Sequence, residues 1–334
     1  MFVLAFFLLA FVLTYLMRMY ALKQNIIDSP NERSSHSIPT PRGGGVAVVI
    51  SYLLGIVLLI YLGDISQHVG ITLTLAGFVI ALLGFLDDHG HINALVRLAI
   101  HFLVAIGAVV SLGGFSEVAL FNGSVQLGWF ANIIAVLFLV WLLNLYNFMD
   151  GINGIASIEV ITATVSMGVI YLLFTSELSS QSLFLLAACA AGFLLWNFPK
   201  ARIFMGDACS GFLGLILGIL ALIALKQDAV LFCAWIICLG VFIVDATFTL
   251  IRRVINGHKM YDAHRSHAYQ YASRKYNSHT VVTLGVLVIN VLWLLPIAYL
   301  ATQHYLMPEL LILIAYIPLI VLAIYFGAGK TENA

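Results

Sequence analysis

Residues 131 to 157 read ANIIAVLFLVWLLNLYNFMDGINGIAS. An apolar run over 131–146, close to the length needed to cross hydrocarbon, leads straight into Asn144, Asn147, Asp150 and Asn153 and a Gly-rich turn. Steps of three would stack these four side chains on roughly one side of a helix. Such polarity at the end of a membrane helix is costly unless it is paired, hydrated or occupied. Capping and turn chemistry would need one or two of these residues, not four. The stretch therefore predicts a membrane span that delivers a functional site at its end.

The rest of the chain extends that reading. Of 334 residues, 62% are hydrophobic and 9% charged, and mean hydropathy is +1.06, which excludes an ordinary soluble domain. Apolar runs recur near 1–20, 45–63, 70–86, 94–112, 131–146, 156–174, 182–198, 211–225, 229–251, 281–301 and 308–326. The expected fold is thus an all-α, polytopic helix bundle of about eleven transmembrane helices. No long soluble segment separates them, so residues 1–334 are expected to form a single transmembrane domain. No internal repeat of the inverted-transporter kind is visible.

The first run lacks a preceding basic residue and a small-residue cleavage site, and reads as an anchor with its N-terminus outside. Alternating the spans from there puts all of the 15 Lys and Arg except Lys226 in loops or helix ends on the inner side. The positive-inside rule then places the N-terminus outside and the C-terminus in the cytoplasm. Net charge is zero, and no nucleic-acid partner is expected. The four cysteines lack metal-type spacing and read as small apolar residues.

Four more polar clusters fall on the same side as the first. Thr40-Pro41-Arg42-Gly43-Gly44-Gly45 opens a span, and its glycine N–H groups together with Arg42 suit a phosphate, although a plain linker explains it equally. Asp87-Asp88 ends a span at a surface where the leaflet itself is negative, which points to metal or proton chemistry. Adjacent helical positions diverge by about 100°, so the two carboxylates are expected to do different jobs. Arg97 begins the next span, to meet a phosphate or to snorkel.

Asp207, between Gly206 and Ala208 at the mouth of a helix, is either a site residue or an N-cap. His264 and His267, three apart with Arg265 between them, would share a helical face and bind a metal or phosphate. An interfacial helix held by Arg, Lys and Tyr accounts for the same loop, with Arg274 meeting only lipid headgroups. A polytopic transporter or lipid-carrier-binding protein is the alternative, but a pore or transporter should carry polar residues through the midplane to both faces. Here the outer loops hold no comparable cluster. Carboxylates, carboxamides, glycine turns and Arg/His at one interface suit a magnesium-bound, phosphate-bearing substrate beside lipid.

In order, Thr40 to Gly44, Asp87-Asp88, Asn144 to Gly154, Phe204-Met205-Gly206-Asp207 and His264 to His267 resemble the polyprenyl-phosphate N-acetylhexosamine-1-phosphate transferases. The likeness covers about residues 36–270, and within the family it is to the O-antigen-initiating branch, through His-Arg-Ser-His-Ala-Tyr-Gln and Asn-Phe-Met-Asp-Gly-Ile-Asn-Gly. It implies attack by undecaprenyl phosphate on the sugar-linked phosphorus of a UDP-N-acetylhexosamine, with release of UMP. It further implies Mg²⁺, or Mn²⁺ in its place, on Asp207 with Asn147 assisting, and it leaves room for a homodimer.

By the same resemblance Asp87 and Asp88 match the pair assigned to the acceptor phosphate or the metal. Asp150 and Asn153 match positions near the nucleotide, Asn144 and Arg42 complete the substrate-binding set, and His264, Arg265 and His267 match the loop contacting diphosphate and sugar. Asn153 stands where the family commonly has a second Asp, and the histidine run is shorter than in the cell-wall translocase. Both departures argue against a pentapeptide substrate.

Overall fold

The computed structural model describes residues 1–30, 38–90, 92–120, 123–173, 180–258 and 265–330. Its helices follow the apolar runs: α1 (Phe2–Lys23), α2 (Val46–Leu62), α3 (Gln67–Gly90), α4 (Ala94–Ser111), α5 (Phe130–Met149), α6 (Ile155–Leu173), α7 (Ser180–Asn197), α8 (Asp207–Gln227), α9 (Ala229–Cys238), α10 (Gly240–Ile255), the short α11 (Ala268–Tyr276), α12 (His279–Ile289), α13 (Leu295–Ala301) and α14 (Pro308–Phe326). A π-helical turn, Asn290–Leu294, joins α12 to α13, so Gln-free residues 279–301 run as one 23-residue span.

Among the described residues nine helices, the 279–301 span included, are long and apolar enough to cross a membrane, and α9 with α10 makes a tenth. The eleventh run, α2, is a 17-residue apolar helix, shorter than the others. All eleven runs are therefore helical, with one correction. The run near 229–251 is not a straight span but bends by 72° at Leu239 between α9 and α10.

The bundle is organised around α8, 94% of whose apolar window is buried. Helices α3 and α5 pack along it, and α7 is flanked by α1 and α6. A helix apolar on every side belongs at the centre, because no face prefers water. Peripheral helices instead turn their apolar side chains to lipid: only 17% of α1 and 22% of α14 is buried. The four cysteines are free and buried, as small apolar residues.

Alternation of the spans brings the loops before α2, α4, α6, α8 and α12 to one end of the bundle. There β1 (Ile27–Asp28) pairs antiparallel with β2 (Thr40–Pro41), Ile27 opposite Pro41. The opposite end carries a hairpin of β3 (Glu117–Leu120) and β4 (Gly123–Gln126), with Lys226 donating to the Leu112 carbonyl.

Candidate active site

The site is built where the chain segments before α2 and α8 lie side by side. Phe204 N donates to Pro41 O at 2.8 Å, Gly44 N to Phe204 O at 2.9 Å and Gly45 N to Met205 O at 2.9 Å. Two of the three glycine N–H groups expected to meet a phosphate are thus spent on backbone pairing. The glycines serve close approach instead: a Cβ on Gly45 would collide with Met205 and Cys209, and one on Gly206, at φ +84°, with Asp88 and Gly43.

This stitching puts Arg42 beside Asp207. Arg42 Nη2 lies 2.6 Å from Asp88 Oδ1 and 2.8 Å from Asp207 Oδ1. From the other side Arg97 Nη1 pairs with Asp87 Oδ2 and stands 3.5 Å from Asp207 Oδ2. Asn147 Nδ2 donates to Asp207 Oδ1 at 3.2 Å and to Ser210 Oγ at 2.8 Å. Burial disfavours the Arg42 charge, but the carboxylates of Asp207, Asp88 and Asp28 outweigh it and hold the guanidinium pKa above its ordinary value.

The two adjacent carboxylates do diverge. Asp88, 2% exposed, accepts from Asp207 N at 3.2 Å and Ala208 N at 3.4 Å, and so closes the first turn of α8 while pairing with Arg42. Asp87 accepts from Ile92 N at 2.7 Å and holds Arg97 at the α3–α4 turn. Asp207 is not an N-cap: Gly206 occupies that position, and Asp207 is the first helical residue, its carboxylate turned into the cluster. A small cleft beside it is lined by Asp87, Arg97, His101, Asn144, Asn147 and Asp207.

The fourfold stack of polar residues does not form as expected. Helix α5 ends at Met149, and Asp150 leaves it with φ −87° and ψ 52°. Asn144 and Asn147 therefore face the cleft, while Asp150 begins the turn. It remains within electrostatic reach of the cluster: desolvation and then the Asp207 charge push its carboxyl well above the usual carboxylate range, with Arg42 opposing. Asn153 points elsewhere, donating Nδ2 to Pro199 O at 3.1 Å. It edges a separate cavity of about 390 Å³ whose wall includes Thr40, Lys200, Phe204, Arg274 and His279.

The histidine loop also differs from expectation. His264 lies outside the described residues. His267 is not on a helical face but is the N-cap of α11, 2% exposed, with Nδ1 3.4 Å from Asp245 Oδ1. The same Asp245 accepts from Ala268 N and Tyr269 N at 2.8 and 2.9 Å. His267 thus anchors α11, which leaves Arg265 as the described member of the loop with open surface. Arg274 does more than meet lipid, since its Nη2 donates to Arg265 O at 3.2 Å.

Sequence reading left Arg97 ambiguous and missed Ser210 and His101. Their signal was helical spacing, Ser210 three after Asp207 and His101 four after Arg97, which gives each pair one face.

The donor set fits a magnesium ion better than a closed metal site. Among the described residues no group of three or more His, Cys, Asp or Glu could hold a metal, whereas Mg²⁺ takes one or two carboxylates and keeps waters and substrate phosphates. Asp207 supplies a carboxylate at the centre of the cluster, Asn147 touches it through Nδ2 and would have to turn its amide oxygen to a cation there, and Asp87 lines the same cleft.

Gly84 offers a structural test. A Cβ there would strike the Asp207 carbonyl and Ala208 N, because α3 crosses α8 at that point. Gly84→Ala is expected to displace Asp207 and lower turnover about tenfold or more, measured against Gly107→Ala on α4, where a Cβ meets nothing within 4 Å. Equal activity of the two variants would contradict that placement.

A family model described as glycosyl transferase family 4 matches residues 70–225. Over 284 residues the chain is 32% identical to the probable undecaprenyl-phosphate N-acetylglucosaminyl 1-phosphate transferase of Bacillus subtilis (strain 168), covering 84% of this chain and 78% of that protein. It is 28% identical over 274 residues to the undecaprenyl-phosphate alpha-N-acetylglucosaminyl 1-phosphate transferase of Thermotoga maritima, 80% of each chain. It is 29% identical over 321 residues to the decaprenyl-phosphate N-acetylglucosaminephosphotransferase of Mycobacterium tuberculosis (strain ATCC 25618 / H37Rv), covering 83% and 77% respectively.

Proposed function

This chain belongs to the polyprenyl-phosphate N-acetylhexosamine-1-phosphate transferases of glycosyl transferase family 4, and from that membership we propose its reaction. It is a multi-pass membrane enzyme that transfers a sugar 1-phosphate to a polyprenyl phosphate. The donor is UDP-N-acetylglucosamine and the acceptor undecaprenyl phosphate, the sugar and lipid named for the relatives in Bacillus and Thermotoga. An acceptor phosphate oxygen bonds to the sugar-linked phosphorus, the bond from that phosphorus to the bridging oxygen breaks, and UMP departs. The product starts a lipid-linked glycan, and the His-Arg-Ser-His-Ala-Tyr-Gln likeness favours a surface polysaccharide of the O-antigen kind.

The observation that carries the reading is the convergence of Arg42, Asp87, Asp88, Arg97, Asn147 and Asp207 from four helices and a loop at one end of the bundle. Asp207 and Asn147 would hold Mg²⁺, which when bound neutralises charge on the transferring phosphoryl oxygens. Arg42 and Arg97 add fixed positive charge beside it. Asp87 positions the acceptor: a phosphate monoester, with a second pKa near 6, is already mostly dianionic at neutral pH and needs no base. The cavity edged by Asn153, Phe204 and His279 receives the nucleotide, and Arg265 approaches the diphosphate.

The test is release of UMP by purified protein given undecaprenyl phosphate, Mg²⁺ and a panel of UDP-N-acetylhexosamines. UMP from one donor names the sugar. No UMP from any of them would favour a carrier or lipid-binding protein instead.

The orientation proposed is site end cytoplasmic, N-terminus periplasmic and C-terminus cytoplasmic in a bacterial inner membrane, on the strength of the one-sided Lys and Arg. A membrane-impermeant maleimide added from the periplasmic side is expected to label Gln303→Cys, in the turn before α14, and to spare Ser278→Cys, before α12. Labelling of Ser278→Cys would reverse the topology.

A further inference from the structure

Glu159 is an ionisable side chain with no place in the ion cluster. It lies in the second turn of α6, is 0% exposed, and stands inside the spanning bundle. A carboxyl group in such a place is retained only where other polar groups need it.

Two partners meet there. Asn290 Nδ2 donates to Glu159 Oε2 at 2.7 Å and reaches Thr162 Oγ1 at 2.8 Å. The other carboxyl oxygen, Oε1, has no hydrogen-bond partner among the described residues. Asn290 opens the π-helical turn, whose extra residue changes which face the following side chains present. Glu159 therefore ties α6 to the irregular turn after α12.

The other end of α12 grips the donor side. Thr283 Oγ1 donates to Asn153 O at 2.8 Å, and Asn153 N donates to His279 Nδ1 at 3.4 Å. Asn153 in turn edges the 390 Å³ cavity. Seven residues separate Thr283 from Asn290, or about 10 Å of helix. Two attachments at that spacing fix both the rotation and the sliding of α12 against α6, whereas one would leave either free.

We propose that Glu159 is a positioning residue for the nucleotide-sugar donor: through Asn290 it sets α12, and α12 sets Asn153. This inference rests on the donor reading of the cavity given above.

The experiment compares wild type with Glu159→Leu, Glu159→Gln, Thr283→Val and the Glu159→Leu/Thr283→Val pair. KM is measured for UDP-N-acetylglucosamine and for undecaprenyl phosphate, and UDP binding by calorimetry on solubilised protein. Glu159→Leu and Thr283→Val are expected to raise donor KM and weaken UDP binding about tenfold or more, with acceptor KM within about twofold of wild type. The pair should be no worse than the worse single variant, because both break one linkage. Glu159→Gln keeps an oxygen for Asn290 Nδ2 and adds a donor for Asn290 Oδ1, which has no partner among the described residues, so it should bind UDP like wild type.

Thr283→Val decides the matter if Glu159→Leu does not fold. Unchanged UDP affinity in folded Thr283→Val, an equal rise in both KM values, or damage by Gln equal to that by Leu would each overturn the inference. Wild type that binds UDP but turns over no donor would sink the transferase reading and leave this one to the binding data.

Discussion

Asp207→Asn should lower turnover about a hundredfold or more, the scale of removing a principal electrostatic contact at a transferring phosphoryl group, while thermal stability stays close to wild type. The side chain bears on no fold-defining contact that Asn could not keep. Gly206 holds the N-cap position and Asp88 satisfies the Asp207 and Ala208 N–H groups. Asn at 207 retains size and one oxygen for Arg42 or Asn147, but it removes the charge on which Arg42 and Arg97 converge. That charge is also what a hard divalent cation requires. Activity above about a tenth of wild type, a loss below about 1.4 kcal/mol of transition-state stabilisation, would rule Asp207 out as the principal metal ligand.

Asp88→Ala should damage both properties, and in this it differs from Asp207→Asn. Its carboxylate is 2% exposed and serves Arg42 and the first turn of α8 together. Removal leaves two backbone N–H groups without their acceptor and Arg42 with Asp207 as its remaining carboxylate partner at the site. Because Arg42 keeps 33% of its side-chain surface open, the stability loss should fall at about 2–3 kcal/mol, below that of a fully enclosed pair. Asp88→Asn keeps one acceptor for the helix and should recover much of the stability without the activity. The check is thermal unfolding beside turnover for both variants; an Asp88→Ala protein as stable as wild type would remove Asp88 from its structural role.

The features legible in the sequence were those that local chemistry fixes. Runs of apolar residues can only be helices in a bilayer, because only helices or closed barrels satisfy their backbone there. The alternation of spans then forces the polar clusters to one end, and the Gly206-Asp207-Ala208 setting marked a helix opening. Adjacent positions on a helix predicted that Asp87 and Asp88 would part, and they do, toward Arg97 and Arg42.

Contacts between distant segments were not legible. The step-of-three pattern from Asn144 to Asn153 continued past the point where α5 stops at Met149, and pattern alone could not tell helix from turn at Asp150. Gly44 and Gly45 gave their N–H groups to residues 204 and 205, some 160 positions on. His267 was drawn into the interior by Asp245, a partner 22 residues away on another helix. The bend at Leu239 carries no Pro. The π-helical turn at Asn290 is followed by Pro296, whose ring and missing N–H disturb the turn before it, but nothing local told that Asn290 would meet Glu159, an isolated acid in an apolar run.

The central claim is that a sugar 1-phosphate, and not the sugar alone, moves to the lipid at this site. UDP-N-acetylglucosamine carrying ³²P in the sugar-linked phosphate, incubated with purified protein, Mg²⁺ and undecaprenyl phosphate, follows that phosphorus directly. The account predicts label in the organic-soluble lipid diphosphate and unlabelled UMP in the aqueous phase, with both formed about a hundredfold more slowly, or slower still, in Asp207→Asn. Label remaining with the nucleotide as UDP, or appearing as water-soluble sugar phosphate, would contradict it.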